Sequence, residues 1–475
     1  EIAKILNKIK ILKIEKKPGI DCVFVIPSNS KKSYQKLSET YSAIEPPTWA
    51  LLLAQSIRSV NLNPKILDAA AENLTEEEIF KKIKSMSPKL ICIVVYGQNV
   101  NAGTTNMSGA VNLINYLKDN KIDKSISLIG SHAQALPKET LEKEKNIDFI
   151  FTNEGVYALR NVLKLESFTS STLKNIKGIA YRENNKILIN QPEKVVPTER
   201  MDIDLPGYAW DLLPFKDKPL DLYRAPMWHA EYDFKKRSPY ASIQTSLGCV
   251  FKCNFCMINI VNRNNTDEVG VASDFSSMRF WSPEFIIKEF DKLISMGVRT
   301  IRIVDEMFLL NPKYYLPLCK ELAKRNKDDS LRIWSYSRID TVKRHEILKL
   351  VRSAGIKWLA LGIESGEKSV RLEVDKGKFE DITKLFTNLK LNYGDRFYIE
   401  IQRHNDLNEV EFEKFNLSQS EKLKIPIIAT NEVFYLNQDM HEAHDALICI
   451  KNKTYVNEKN RIKFSNHHYL KDDNE

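Results

Sequence analysis

The sequence predicts an α/β protein in three parts: a doubly wound parallel sheet, a partial barrel of parallel β–α units, and a strand–helix–strand tail. Three observations carry this. Between residues 21 and 165, near-continuous Val/Ile runs alternate with amphipathic helical stretches, the pattern of buried parallel strands covered on both faces. From residue 241 a second strand–helix series begins, with short loops, which reads as a barrel or part of one. Near residue 385 that series breaks off and a different pattern follows.

In the first part the runs are DCVFVIP (21–27), PKILDA (64–69), KLICIVVYG (89–97), SISLIGS (125–131) and DFIFTNEG (148–155). PPTWALLLAQSIRS, TEEEIFKKIKSM, GAVNLINYLKDN and PKETLEKEK supply the helices between them. In an open parallel sheet a ligand sits beyond the carboxyl ends of the strands. Those ends carry Pro27, Ser28, Tyr96, Gly97, Gln98, Asn99, Gly130, Ser131, His132, Asn153, Glu154 and Gly155. They are mostly small or polar and suit close approach. Residues 166–240 read as a linker that holds a hairpin around Glu183-Asn184-Asn185 and a Pro-rich aromatic connector. The barrel series is ASIQTS, EFIIKEFDKLISMG, TIRIVDE, YYLPLCKELAKRN, LRIWSYSR, HEILKLVRSAG and WLALGIES.

Composition bounds the function. The chain has 475 residues, 43% hydrophobic and 28% charged, too long for one ordinary core. No apolar run approaches the length of a membrane span. The start, EIAKILNKIKILKIEKK, is basic and amphipathic, without the apolar core or cleavage site of a signal peptide. Net charge is +9, but the lysines are scattered. A nucleic-acid surface needs a basic patch with interleaved aromatics, so no nucleic-acid partner is expected of the main body. Seven cysteines, at 22, 92, 249, 253, 256, 319 and 449, are odd in number and mostly isolated. A disulfide framework is therefore not expected, and a reducing cytoplasm is.

Cys249, Cys253 and Cys256 stand apart. TSLGCVFKCNFCMIN has the spacing C-x3-C-x2-C directly after a predicted strand. Chance supplies roughly 0.0015 such triplets in a chain of this composition. Three thiolates in one loop can hold three irons of a cubane and leave the fourth open. A structural zinc knuckle would need a further ligand, and the nearest histidine, His229, lies upstream across the linker.

With this spacing, residues over about 140 positions resemble the radical S-adenosylmethionine (SAM) superfamily. The resemblance implies that the three cysteines hold a 4Fe–4S cluster whose open iron chelates SAM. Phe255 matches the aromatic before the third cysteine. Asp305 and Glu306 in IVDEMF take the place of the motif for the SAM amino group, where a carboxylate meets an ammonium. Ser337 and Arg338 in WSYSRID fall where the ribose and carboxylate of SAM are held, and Glu364 lies at another strand end.

The strings EPPTWALLLAQSIRS, VVYGQNVNAGTTNM, IGSHAQALPKETL and FTNEG resemble the Rossmann-like cobalamin-binding domain that precedes many radical SAM domains. Cobalamin domains that supply a lower axial ligand carry Asp-x-His-x-x-Gly after the first strand. Here that place reads PSNSKKS, which implies cobalt without a histidine below it and leaves His132 as a loop contact to the corrin or a plain surface histidine.

The end of the chain departs from both families. FYIEIQRH, PIIATNEVFYL and HEAHDALICI resemble the polymerase-and-histidinol-phosphatase (PHP) domain of the bacterial DNA polymerase III alpha subunit, over about 80 residues. Such a domain gathers its metal ligands from its whole length. His404, Asn431, His441 and His444 match only its last third, so no metal site is expected there.

The resulting domain plan is 1–165 cobalamin-binding, 166–240 linker, 241–385 truncated radical SAM barrel and 386–475 PHP fragment, with a chimeric join between Lys378 and Asn392. The tail's two strands are expected to fill the places of missing barrel strands. The resemblance implies reductive cleavage of SAM to a 5′-deoxyadenosyl radical and methyl transfer to an unactivated carbon of a small-molecule substrate. An electron donor such as flavodoxin or ferredoxin would serve it. The alternative is a chimera that binds the cofactors without turnover; a replication role for the tail is not expected.

Overall fold

The computed structural model describes residues 19–28, 40–97, 100–230, 233–251, 253, 256–261, 269, 277–362, 382–405, 409–452, 454–458 and 461–472. Gln98, Asn99, Phe255 and Glu364, the basic amino-terminal stretch and part of the join lie outside the described residues. The chain divides into two compact units: the first runs to Thr341 and takes in Leu350–Gly362, and the second takes in Val342–Lys349 and the described residues beyond 381.

In the first unit each of the five expected runs is a strand: β1 (Cys22–Ile26), β2 (Pro64–Asp68), β3 (Leu90–Val94), β4 (Ser125–Ile129) and β5 (Phe149–Phe151). They pair in parallel in the order β2-β1-β3-β4-β5. Every residue of β3 is buried. That follows from its central place, with helices on both faces. Among the helices are α1 (Thr48–Arg58), α2 (Glu76–Met86), α3 (Met107–Asp119), α4 (Pro137–Lys143) and α5 (Val156–Val162). One face is a continuous core in which Val23, Ile91, Ile126 and Ile150 meet Ile79, Ile83, Leu113 and Leu117. Burying each such side chain contributes about 1.5–3 kcal/mol. Thr75 and Glu78 close a reciprocal capping box at the start of α2, which fixes where that helix begins.

The hairpin assigned to the linker belongs instead to this sheet. β6 (Ile179–Glu183) pairs antiparallel with β5, placing Tyr181 opposite Phe149, and β7 (Lys186–Ile189) completes a seven-stranded sheet. The physical reason is that Ile179, Ala180 and Tyr181 are buried against β5, which leaves β7 as the edge.

Asp68 ends β2 and caps the short helix Ala69–Glu72, its Oδ1 accepting from the Ala71 N–H at 3.1 Å. Its Oδ2 accepts from the Tyr223 hydroxyl at 2.8 Å. Burial raises its pKa to about 6. The folded pKa lies above the unfolded one, so this carboxyl favours folding below the unfolded pKa, about 3.9. That contribution is lost as pH rises through about 6. An Asp68→Asn variant should therefore gain thermal midpoint relative to the parent between pH 4 and 7. A constant offset across that range would rule the linkage out.

The second sheet of this unit is parallel, with β13 (Ile356–Gly362), β12 (Arg332–Arg338), β11 (Thr300–Ile303) and β8 (Tyr240–Ile243) side by side in that order. A separate antiparallel pair, β9 (Ser246–Gly248) and β10 (Met278–Phe280), follows β8. α6 (Pro283–Ser295) leads into β11, α7 (Pro312–Arg325) into β12, and α8 (His345–Ser353) into β13. Ser282 and Asn311 cap α6 and α7, each ahead of a proline in the first turn, the arrangement that starts a helix most cleanly.

The second unit holds α9 (Ile382–Tyr393), β14 (Ile399–Ile401), α10 (Glu409–Leu423), β15 (Ile427–Ala429) and α11 (His441–Asn452). β14 and β15 pair in parallel in a sheet of two. The strand–helix–strand order is as expected, and the two strands pair with each other. His441 and His444 sit in an aromatic cluster. His441 Nε2 lies 3.0 Å from the Phe464 carbonyl, and His444 stacks on Phe434 with ring centroids 5.1 Å apart. His404 stacks on His468 at 4.1 Å and accepts from the Glu432 N–H through Nε2. These rings are spent on packing and backbone contacts. Asn431 is likewise engaged, its Nδ2 donating to the Tyr469 carbonyl at 2.6 Å.

Candidate active site

The three cysteines follow β9 in one loop. Cys249 and Cys253 are buried and Cys256 half-buried, none of them in a disulfide. The Cys256 N–H donates to the Cys253 carbonyl at 3.0 Å, a turn that closes the second spacing, and the loop ends in the short helix Ile258–Val261. Burial pushes the Cys249 thiol up to about 11. A hydrogen bond from the Phe251 N–H opposes that rise, while Glu306, Cys256 and Cys253 lie near enough to add to it. Among the described residues, no three His, Cys, Asp or Glu side chains converge on one point as a single ion would require. A cubane does not require that, since each thiolate binds a different iron. The donor set fits a cluster better than zinc.

The two neighbouring carboxylates differ. Asp305 accepts from the Thr245 N–H at 2.6 Å, the Thr245 hydroxyl at 2.5 Å and the Ser246 hydroxyl at 2.7 Å. It is spent on the turn from β8 to β9 and so places the strand that leads into Cys249. Glu306 Oε2 is buried without a hydrogen-bond partner. Burial lifts its carboxyl to about 8, and the adjacent Asp305 adds to that. A buried, unpartnered acceptor beside the cysteine loop fits the ammonium of SAM, because an unmet acceptor costs stability until something donates to it. The Arg338 guanidinium lies over the Phe251 ring at 3.6 Å, inside the first cysteine spacing. Ser337 Oγ lies 2.7 Å from Thr341 Oγ1. β12 thereby delivers Arg338 to the cluster loop.

On the first sheet, Pro27 is buried and Ser28, Tyr96 and Gly97 are half-buried at their strand ends. The Gln134 side-chain amide donates to the Tyr96 hydroxyl at 2.8 Å and to the Asn153 carbonyl. Asn153 in turn accepts from the Gly155 N–H and donates to the Glu193 carbonyl. A Cβ on Gly130 would come within 2.0 Å of the Val95 carbonyl oxygen, and one on Gly103 within 2.0 Å of Ser131 Oγ. The loops after β3 and β4 therefore approach as bare backbone. Ser131 Oγ and Thr152 Oγ1 are buried without partners, so this face retains polar atoms that a corrin's amide periphery can meet. His132 Nδ1 lies 3.0 Å from Thr104 Oγ1, and burial followed by the Lys143 charge lowers its pKa. It lines a cavity of about 340 Å³ bounded by α3 and α4.

Glu154 is held in an ion pair at its strand end. Its Oε1 accepts from the Val196 N–H at 2.5 Å, and its Oε2 lies 2.8 Å from the Arg279 guanidinium in an ion pair without a hydrogen bond of its own. Arg279, Gln134 and Trp49, whose Nε1 donates to the Glu154 carbonyl at 3.1 Å, were not among the sequence candidates. The only sequence signal for Arg279 is a lone charge between Met278 and Phe280. The structure brings the two candidate faces together: the helix Ile258–Val261 packs against the helix Ser131–Ala135.

Residues 243–415 match the Radical SAM superfamily. An uncharacterized methyltransferase of Pyrococcus horikoshii is 26% identical over 333 residues, 70% of this chain and 63% of that protein. Among solved structures, the cobalamin-dependent SAM radical enzyme OxsB, with aqua-cobalamin and SAM bound, superposes with a TM-score of 0.60 at 18% identity. The match covers 86% of this chain and 53% of that one. The DNA polymerase III alpha subunit of Rickettsia bellii is 43% identical over 72 residues, 15% of this chain and 6% of that protein. The fold is similar to that of the cobalamin-dependent SAM radical structures, a Rossmann-like sheet followed by a second parallel sheet, and the stretch that holds the cysteine loop is similar to the Radical SAM superfamily. Joined to it is a fragment similar to polymerase III alpha, and the chain is a chimera of the two. It spans less than two thirds of the length of the methyltransferase relative and of OxsB. The superfamily match runs past the expected join, into a strand–helix–strand segment that repeats the barrel's own β–α order.

Proposed function

We propose that the first unit is a cobalamin-dependent radical SAM enzyme that transfers a methyl group to an unactivated carbon of a small-molecule substrate. The observation that carries this is the meeting of the cysteine loop, the unpartnered Glu306 carboxylate and the strand ends of the first sheet. When bound, a 4Fe–4S cluster supplies the electron that cleaves SAM to a 5′-deoxyadenosyl radical, and cobalamin carries the methyl group. Cys249, Cys253 and Cys256 hold the cluster. Glu306 receives the SAM ammonium, and Arg338, fixed on Phe251, presents a cation to the SAM carboxylate. Asp305 positions the loop through Thr245 and Ser246. Gly130 and Ser131, with Tyr96 and Asn153 braced by Gln134, face cobalamin.

Among the described residues no helix is long and apolar enough to cross a membrane. With seven free thiols, a cytoplasmic enzyme served by a flavodoxin or ferredoxin is the reading this supports. The second reading is a chain that binds its cofactors without turnover. It is favoured by the sheet of only four parallel strands among the described residues. Anaerobically reconstituted protein given SAM and a strong reductant separates them. The proposal expects 5′-deoxyadenosine and abolition of its formation in Glu306→Ala. Full iron occupancy with no SAM cleavage would leave only the second reading.

A further inference from the structure

We infer that the buried Glu154–Arg279 ion pair is a strut that sets the spacing between the cluster loop and the cobalamin-facing strand ends. This rests on the proposed reading of those two faces.

Glu154 lies between Asn153 and Gly155, immediately beyond β5 of the first sheet. Arg279 is the middle residue of β10, and β10 pairs with β9 so that Arg279 faces Leu247 and Met278 faces Gly248. Gly248 is the residue before Cys249. One ion pair therefore joins the last strand end of one candidate face to β10, the partner of the strand β9 that leads into the first cysteine of the other.

The pair is built to be rigid. Side-chain exposure is 8% for Arg279 and 7% for Glu154, with 2.8 Å between them. Val196 closes the ring from the linker: its N–H donates to Glu154 Oε1 and its carbonyl accepts from Arg279 at 2.7 Å. The Trp49 indole donates to the Glu154 carbonyl from α1. Behind Glu154, the Asn153 carbonyl and the Tyr96 hydroxyl share the Gln134 amide. A continuous path of hydrogen bonds and one ion pair thus runs from Tyr96 to the strand before Cys249. Neither charge has bulk water to fall back on, so losing one partner leaves the other buried and uncompensated. Neither residue is placed to touch a reacting atom, and both act as positioning residues.

The test uses full-length protein. Glu154→Gln removes the charge at constant shape, and Arg279→Lys keeps the charge but loses the planar fork. In the cofactor-free protein, hydrogen–deuterium exchange should rise about tenfold or more across the pair. Glu154→Gln should loosen 246–248 and 277–280, and Arg279→Lys should loosen 152–156, while β1 to β3 keep parental protection. Changes confined to the substituted residue's own loop, or a uniform rise over the whole sheet, would overturn the strut. In cofactor-loaded protein, pulsed electron paramagnetic resonance between the reduced cluster and cob(II)alamin reads the spacing directly. The variants should broaden that distance distribution at parental iron and cobalamin content, and an unchanged distribution would again overturn it. A parent that takes up no cobalamin would refute the reading of the first face, and the exchange experiment would still decide the strut.

Discussion

A variant with Cys249, Cys253 and Cys256 all replaced by alanine is expected to lose essentially all iron and the brown colour of the reconstituted parent, and to keep its fold. The argument is electrostatic. In the metal-free protein, burial holds the proton on Cys249 up to a pH of about 11. At neutral pH that alanine therefore removes a neutral thiol and no charge. A neutral thiol packs as a small hydrophobe, so the thermal midpoint of the cofactor-free variant should stay close to the parent's. Iron binding requires the thiolates, and none of the three has a substitute. The other four cysteines, Cys22, Cys92, Cys319 and Cys449, are buried in strands or helices. Loading releases protons, so iron uptake should rise with pH over the range in which the protein stays folded. Near-parental iron in the triple variant would place the metal elsewhere. Zinc bound tightly by the parent in preference to iron would revive the structural-knuckle reading.

How much of this was legible in the sequence depended on whether a feature repeats locally. Strands β1 to β5 announced themselves because a strand covered on both faces must be apolar at nearly every position, as LICIV is. The cysteine loop was legible because all three thiolates lie within eight residues. The tail's strand–helix–strand order was legible too, from its resemblance. The attachment of β6 was not, because its partner β5 is some 30 residues away and a half-buried hairpin reads the same alone or at a sheet edge. Nor was the division of labour between Asp305 and Glu306. Adjacent carboxylates look alike in sequence, and only the hydroxyls of Thr245 and Ser246, about 60 residues earlier, show which one is already occupied. The Glu154–Arg279 pair was not legible for the same reason: Arg279 carries no local mark.

The most distant of these pairings also carries the largest expected effect on stability. Glu45 precedes Pro46, Pro47 and α1, while Arg302 lies on β11, 257 residues later, and the guanidinium contacts both carboxylate oxygens at 2.7 Å. The Arg302 side chain is wholly buried. It lies over the rings of Trp334 at 4.6 Å and Tyr336 at 5.4 Å, and the Tyr240 hydroxyl donates to Glu45 Oε1 at 3.2 Å. The aromatic rings share the cation's field, and Glu45 supplies a full opposite charge at hydrogen-bond distance. Glu45→Gln should therefore cost more than about 1 kcal/mol, because it removes the carboxylate that a wholly buried guanidinium contacts through both oxygens. A Glu45→Gln, Arg302→Met double variant should recover much of that, because an apolar side chain of similar length suits an aromatic-lined site. Denaturation followed by tryptophan fluorescence reads this directly, with Trp334 beside the pair. A loss below about 1 kcal/mol, the ordinary value of a surface pair, would mean that water reaches Arg302. The segment that Glu45 anchors also carries Thr48, whose Oγ1 lies 2.8 Å from Ser242 Oγ on β8. It leads into Trp49, which donates to the Glu154 carbonyl. Breaking the Glu45 anchor should thus loosen the Glu154 loop along with β8, so that stability and the spacing of the two cofactor faces fall together.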